Sequence, residues 1–183
     1  WLAEGAPWSE HWSFVTPTRP AVPTLADAGQ AKNEVDRFVQ AQDANGCFGP
    51  RTASAFPRDH AIAALAVVEA FGMTGSHLFR EPALRCVALA LTLRTPGGGW
   101  HRSEADGGAL DVETTGWMVM LLKSAALAEI RVSTSEIDEA VAEIDRVTDR
   151  TTGRIGGPAG RLDTAVGLVA RILAGHTPKT DAT

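Results

Sequence analysis

Apolar residues recur along this chain at helical spacing, and the spacing changes character from one segment to the next. Over 31–42, Val35, Phe38 and Val39 fall on one face, with Lys32, Asn33, Asp36, Arg37 and Gln40 on the others. Offsets of three and four mark an amphipathic helix. Segments 81–94 and 135–148 show the same mixed pattern, the last with Ser135 as the expected N-cap ahead of Ile137 and Asp138. Between them lie more apolar stretches at 59–71, 113–123 and 163–173. A helix apolar on nearly every side is expected to be covered on every side, so these read as inner helices and the mixed ones as outer helices. Gly116 and Gly167 sit inside two of the apolar stretches, in places that look equivalent. A mid-helix glycine costs about 1 kcal/mol against alanine, so both predict close helix–helix approach.

Each mixed segment runs into a glycine-bearing turn that ends on a bulky residue. The turns are Gln42-Asp43-Ala44-Asn45-Gly46-Cys47-Phe48-Gly49, Arg94-Thr95-Pro96-Gly97-Gly98-Gly99-Trp100 and Asp149-Arg150-Thr151-Thr152-Gly153-Arg154-Ile155-Gly156. Phe48, Trp100 and Ile155 recur about every 50 residues, a period typical of repeat architectures. The chain therefore predicts an all-α fold of about three helix-pair repeats over 31–176. Residues 1–30 differ: they hold Trp1, Trp8 and Trp12 and prolines at 7, 17, 20 and 23. Proline removes an N–H and biases its predecessor to extended geometry, so this segment predicts an extended strap. Residues 177–183 read as a disordered tail.

Composition narrows the function classes. Ala, Leu and Val dominate the 183 residues, 44 % are hydrophobic, 21 % are charged, and the formal net charge is −5. This balance offers no basic patch for nucleic acid and no cationic face for a membrane surface. The longest apolar run, Ala61–Val68, is far short of the roughly 20 residues that span a bilayer. The chain does not begin with Met, and it reads as a piece of something longer; no compartment follows from it. Cys47 and Cys86 are expected to be free thiols, and no Cys-x-x-Cys metal or haem motif occurs.

The Gln42-x-x-x-Gly46-x-Phe48 turn and the helix pairs resemble the prenyltransferase/squalene oxidase repeat over residues 30–175. The runs His60-Ala61-Ile62-Ala63, Phe71-Gly72-Met73-Thr74-Gly75, Arg80-Glu81-Pro82-Ala83 and Thr115-Gly116-Trp117-Met118-Val119-Met120 with Lys123-Ser124-Ala125 carry the similarity. The resemblance implies a partial α/α toroid of the superfamily that includes squalene-hopene cyclases and protein prenyltransferases. A closed toroid there uses about six helix pairs, so three would leave apolar surface open to a second copy or to other chain. The first 40 residues, from Trp1-Leu2-Ala3-Glu4 through Arg19-Pro20-Ala21-Val22-Pro23 to Arg37-Phe38-Val39, are similar instead to the junction after a planctomycete-type cytochrome c domain. No haem is implied.

Against the family's motifs, the chemistry is thin. Asp111-Val112-Glu113-Thr114-Thr115 resembles the Asp-x-Asp-Asp-Thr motif of terpene cyclases, with Glu113 at the acid position. A carboxylic acid that protonates an alkene needs a polar support and a dry aromatic cavity, and Trp117 is the aromatic nearby. Asp111 and Glu113 are equally what a helix start requires. His60 is the candidate metal residue, yet the Asp-x-Cys partner of the zinc prenyltransferases is missing. His101 is expected at the surface. Phe48, Trp100 and Trp117 are the candidate cavity or packing residues. Gly97-Gly98-Gly99 lacks the lysine and strand of a phosphate loop, and no Gly-x-Ser-x-Gly elbow occurs. The expected function is a non-catalytic repeat or scaffold domain with a protein or apolar-ligand partner, no cofactor, and a homodimer as one form of assembly. The alternative is a terpene-cyclase-like or isoprenoid-binding protein.

Overall fold

A computed structural model describes residues 33–103, 109–155 and 160–176; the expected strap 1–30 and tail 177–183 lie outside them. Six helices follow in order: α1 Glu34–Gln40, α2 Phe56–Thr74, α3 His77–Thr92, α4 Val112–Leu127, α5 Thr134–Arg146 and α6 Arg161–Ala174. Among the described residues there is no strand, only one isolated bridge between Thr148 and Ile155. The fold is all-α.

Several helix starts differ from the pattern, mostly because of capping: α1 starts at Glu34 rather than 31, since the Asn33 side chain accepts from the Asp36 N–H at 2.9 Å. The N-cap of α5 is Ser133, not Ser135: its side chain caps the helix and the Glu136 carboxylate accepts from the Ser133 N–H at 2.8 Å. Ser133-x-x-Glu136 is a capping box, which satisfies two orphan donors at once. α3 starts at His77 because Ser76 accepts from the Leu78 N–H, so Pro82 stands inside the helix rather than at its start. α2 starts three residues early, with Pro57 in its first turn, where a missing N–H costs nothing.

α2, α4 and α6 lie side by side as one row, with α4 in the middle. α3 packs on α2 and α4, and α5 on α4 and α6, so these helices flank the row. The core runs through the row and holds Ala61, Val68, Val119, Leu122 and Ala170, with Cys86 and Ile144 from the flanking helices. Not every row helix is covered all round, as the apolar pattern alone predicted. α6 exposes Leu162, Leu168, Val169 and Ile172, because no further helix among the described residues lies beyond it.

The turns hold the two layers together. In the first two, the backbone closes on itself: Asp43 N–H to Cys47 O at 3.0 Å and Thr95 N–H to Gly99 O at 2.8 Å. Gly46 and Gly98 take positive φ (86° and 105°), a conformation that L side chains rarely adopt. A Cβ there would also strike the backbone of Arg85 in α3 or the Glu139 side chain and backbone in α5. Trp100 is fully buried. Its indole N–H donates to Ala90 O in α3 at 2.8 Å, and its backbone N–H donates to the Thr115 hydroxyl in α4 at 3.1 Å. Ile155 repeats the second contact with Thr164 at 3.0 Å.

These bonds correct the equivalence of the two glycines. Thr164 stands where Thr115 does, which aligns Gly116 with Ala165, not with Gly167. A Cβ on Gly116 would overlap Val166 of α6, whereas one on Gly167 would meet Ile155 and Ile144. Gly116 thus sets the α4–α6 approach and Gly167 the α6–α5 approach. Trp100→Ala is expected to cost about 3–5 kcal/mol in chemical denaturation. Thr115→Val, which leaves the Trp100 N–H without its acceptor, is expected to cost about 1–3 kcal/mol; a neutral Thr115→Val would contradict the clamp.

Candidate functional site

The positions singled out for chemistry fall on two separate sites. The first lies along α4. Asp111 is the N-cap: its carboxylate accepts from the Thr114 N–H at 2.9 Å and from the Thr114 hydroxyl at 2.5 Å. Both bonds satisfy the helix start, so Asp111 is committed to structure. Glu113, in the first turn of α4, is partly buried and lies 3.7 Å from the Arg58 guanidinium of α2. Arg58 also holds Asp59 at 3.0 Å.

Glu113 borders a groove of about 380 Å³ between α4 and α6. Trp117 and Met120 form its α4 wall, and Leu162, Ala165, Val166 and Val169 its α6 wall. Gly116 lies at its base, where its missing side chain admits Val166. Apart from the Glu113 carboxylate the lining side chains are apolar. Volumes of 300–1,000 Å³ with a few placed polar groups are usual for small-molecule sites. A comparable depression of about 390 Å³ lies between the C-terminal ends of α2 and α4, where Ser124 donates to Glu69 at 3.3 Å; it is the more polar of the two.

The second site surrounds His60, which is fully buried. Its Nε2 lies 3.1 Å from Cys86 O, so the neutral ring carries its proton there, and Nδ1 has no hydrogen-bond partner. Phe48 and Phe56 flank the ring, with centroids 6.3 Å and 5.8 Å away, and Phe38 stacks on Phe48 at 4.8 Å. Burial pushes the His60 pKa below its ordinary value. The bond to Cys86 O opposes that, and Arg51 and Asp43 add smaller, opposite effects. Among the described residues no group of three or more His, Cys, Asp or Glu side chains could hold a metal ion. Cys47 and Cys86 are both buried free thiols, and burial raises the Cys86 pKa to about 12. His101 is only partly exposed, not at the surface as expected, and its Nδ1 is buried without a partner.

Phe48 and Trp100 are packing residues, and Trp117 is both packed on the core and a groove wall. Sequence reasoning missed the polar struts. Gln42 donates to Gly46 O and Pro82 O, at 3.2 and 2.9 Å, and accepts from Arg85. Arg94 does the same from the second turn, to Gly98 O and Glu136 O, with Glu139 as its ion partner at 2.7 Å. The signal was present, since Gln42 and Arg94 both stand four residues before the turn glycine. No family model, no curated protein and no solved structure matches this chain.

The buried neutral His60 makes stability pH-dependent. The unfolded chain takes up a proton near pH 6.5, and the folded site resists it. Stability is therefore lost as pH falls below about 6.5 and stops falling only below the lowered folded pKa. His60→Gln keeps a donor for Cys86 O without a titrating ring. The stability difference between wild type and this variant should shift against wild type between about pH 7 and pH 5 in urea titrations. A difference independent of pH would contradict the assignment.

Proposed function

We propose that this chain is a non-catalytic helical binding module whose α4–α6 groove takes an apolar ligand or an apolar segment of a partner. The observation that carries the reading is the groove itself: apolar walls from Trp117, Met120, Leu162, Val166 and Val169, with one carboxylate at the rim. The resemblance to the prenyltransferase/squalene oxidase repeat supports an apolar, isoprenoid-like occupant, since that superfamily places its substrates against inner helices. The two carboxylates nearest the groove support binding rather than catalysis. Asp111 is consumed by its helix cap, and Glu113 pairs with Arg58.

Farnesol, an isoprenoid alcohol, is a suitable probe. Saturable binding to the full chain is expected in calorimetry, weakened about tenfold or more by Met120→Glu, equivalent to about 1.4 kcal/mol. Glu113→Gln should leave the affinity within about threefold, as a rim group does when apolar burial dominates. No saturable binding would overturn the reading. An isoprenoid product made by wild type and lost in Glu113→Gln would replace it with the cyclase-like alternative.

A further inference from the structure

Among the described residues one kind of inter-unit interface forms twice, α2 on α4 and α4 on α6, and no further row helix lies on the outer side of α2 or of α6. Hydrogen bonds fix which residues correspond. Gln42 and Arg94 reach across their turns in the same way, to Pro82 O and to Glu136 O. On this register Val35 of α1 corresponds to Val87 of α3 and Val141 of α5. Val87 and Val141 are 2 % and 1 % exposed, but Val35 is 53 % exposed.

The row helices show the complementary gap at the other end. His60, Thr115 and Thr164 are the residues that meet Phe48, Trp100 and Ile155. Val119 of α4 then corresponds to Leu168 of α6, and their exposures are 0 % and 49 %. Ala165 takes the place of Gly116, and Ile62 of α2 the place of Val166, the pair that sets the α4–α6 approach. Ile62 and Ala66 are exposed on the free side of α2, as is Ile172 on the free side of α6. The third turn agrees: nothing lies within 4 Å of a Cβ on Gly153, where Gly46 and Gly98 are covered by α3 and α5.

The two ends are thus the two halves of an interface that the chain already makes internally. We infer that the α6 edge of one copy receives the α1–α2 edge of a second copy, head to tail. Ala165 then meets Ile62 of that copy, as Gly116 meets Val166, and Leu168 and Ile172 pack on the free side of its α2. α1 of that copy comes down over Gly153 and buries Val35. The contact is heterologous, so the assembly closes when it is reciprocal. It borders the groove, since Ala165 also stands in the groove's α6 wall.

Light scattering on the size-exclusion-purified full chain, at tens of micromolar, should give a mass of at least twice 19.3 kDa. Leu168→Arg and, separately, Ile62→Arg should each give a folded monomer by circular dichroism. Mixing the two variants should restore a dimer, because one keeps an intact α2 edge and the other an intact α6 edge. The double substitution Ala165→Cys with Ile62→Cys provides a second reading: oxidation should cross-link copies, since native Cys47 and Cys86 are buried. A monomeric wild type, an assembly that survives either arginine, a mixture that stays monomeric, or a cysteine pair that fails to cross-link would each overturn the inference.

Discussion

The fold depends on the way a bulky side chain after each glycine turn is driven between two helix layers. Trp100 shows the physics most fully. Burying an indole supplies a large apolar contribution, but its N–H must find an acceptor. Ala90 O provides one, and the Thr115 hydroxyl both accepts from the Trp100 backbone N–H and donates back to its carbonyl at 3.3 Å. The Arg94 guanidinium lies 5.6 Å above the ring and ties the same turn to α5. One residue therefore joins α3, α4 and, through Arg94, the next flanking helix. Phe48 and Ile155 do the same with fewer polar contacts, which leaves the middle of the chain the most tightly determined part.

That arrangement positions the groove. Because Thr115 holds the start of α4 against the Trp100 turn, Gly116 directly follows and lets Val166 of α6 approach. The close approach at this level leaves Trp117, Met120 and Val169 standing on one open side. The groove is thus a consequence of row packing, with the carboxylate of Glu113 held at its rim by Arg58. The apolar face on α6 follows from the same packing rule, since a row helix carries apolar residues for a neighbour on each side.

Much of this was legible in the chain. All six helices were read from the period of Val35, Phe38, Val39 and their counterparts, and the three turns from their glycines and bulky residues. The boundaries were less legible, because Ser133 and Ser135 are both acceptable caps and only the reach of Glu136 decides between them. Sequence alignment of Gly116 with Gly167 failed for a related reason. The loop between turn and helix differs in length between units, and only the Thr115 and Thr164 bonds reveal the true register. Asp111 and Glu113 were readable both as a helix start and as weak acid candidates, because helix starts and acid catalysts favour the same residue type. The structure places Asp111 in the Thr114 cap and Glu113 beside Arg58. The groove itself was not legible, since it depends on the α4–α6 distance that Gly116 permits.

The most direct test of the central claim, an apolar binding groove without catalysis, is methyl-resolved NMR of the full chain with farnesol added in steps. The methyls of Met120, Leu162, Val166 and Val169 should shift together and saturate while Ile144 and Val141, on the far side of the core, stay in place and the farnesol remains chemically unchanged. Shifts centred away from those four residues, or conversion of the farnesol, would contradict it.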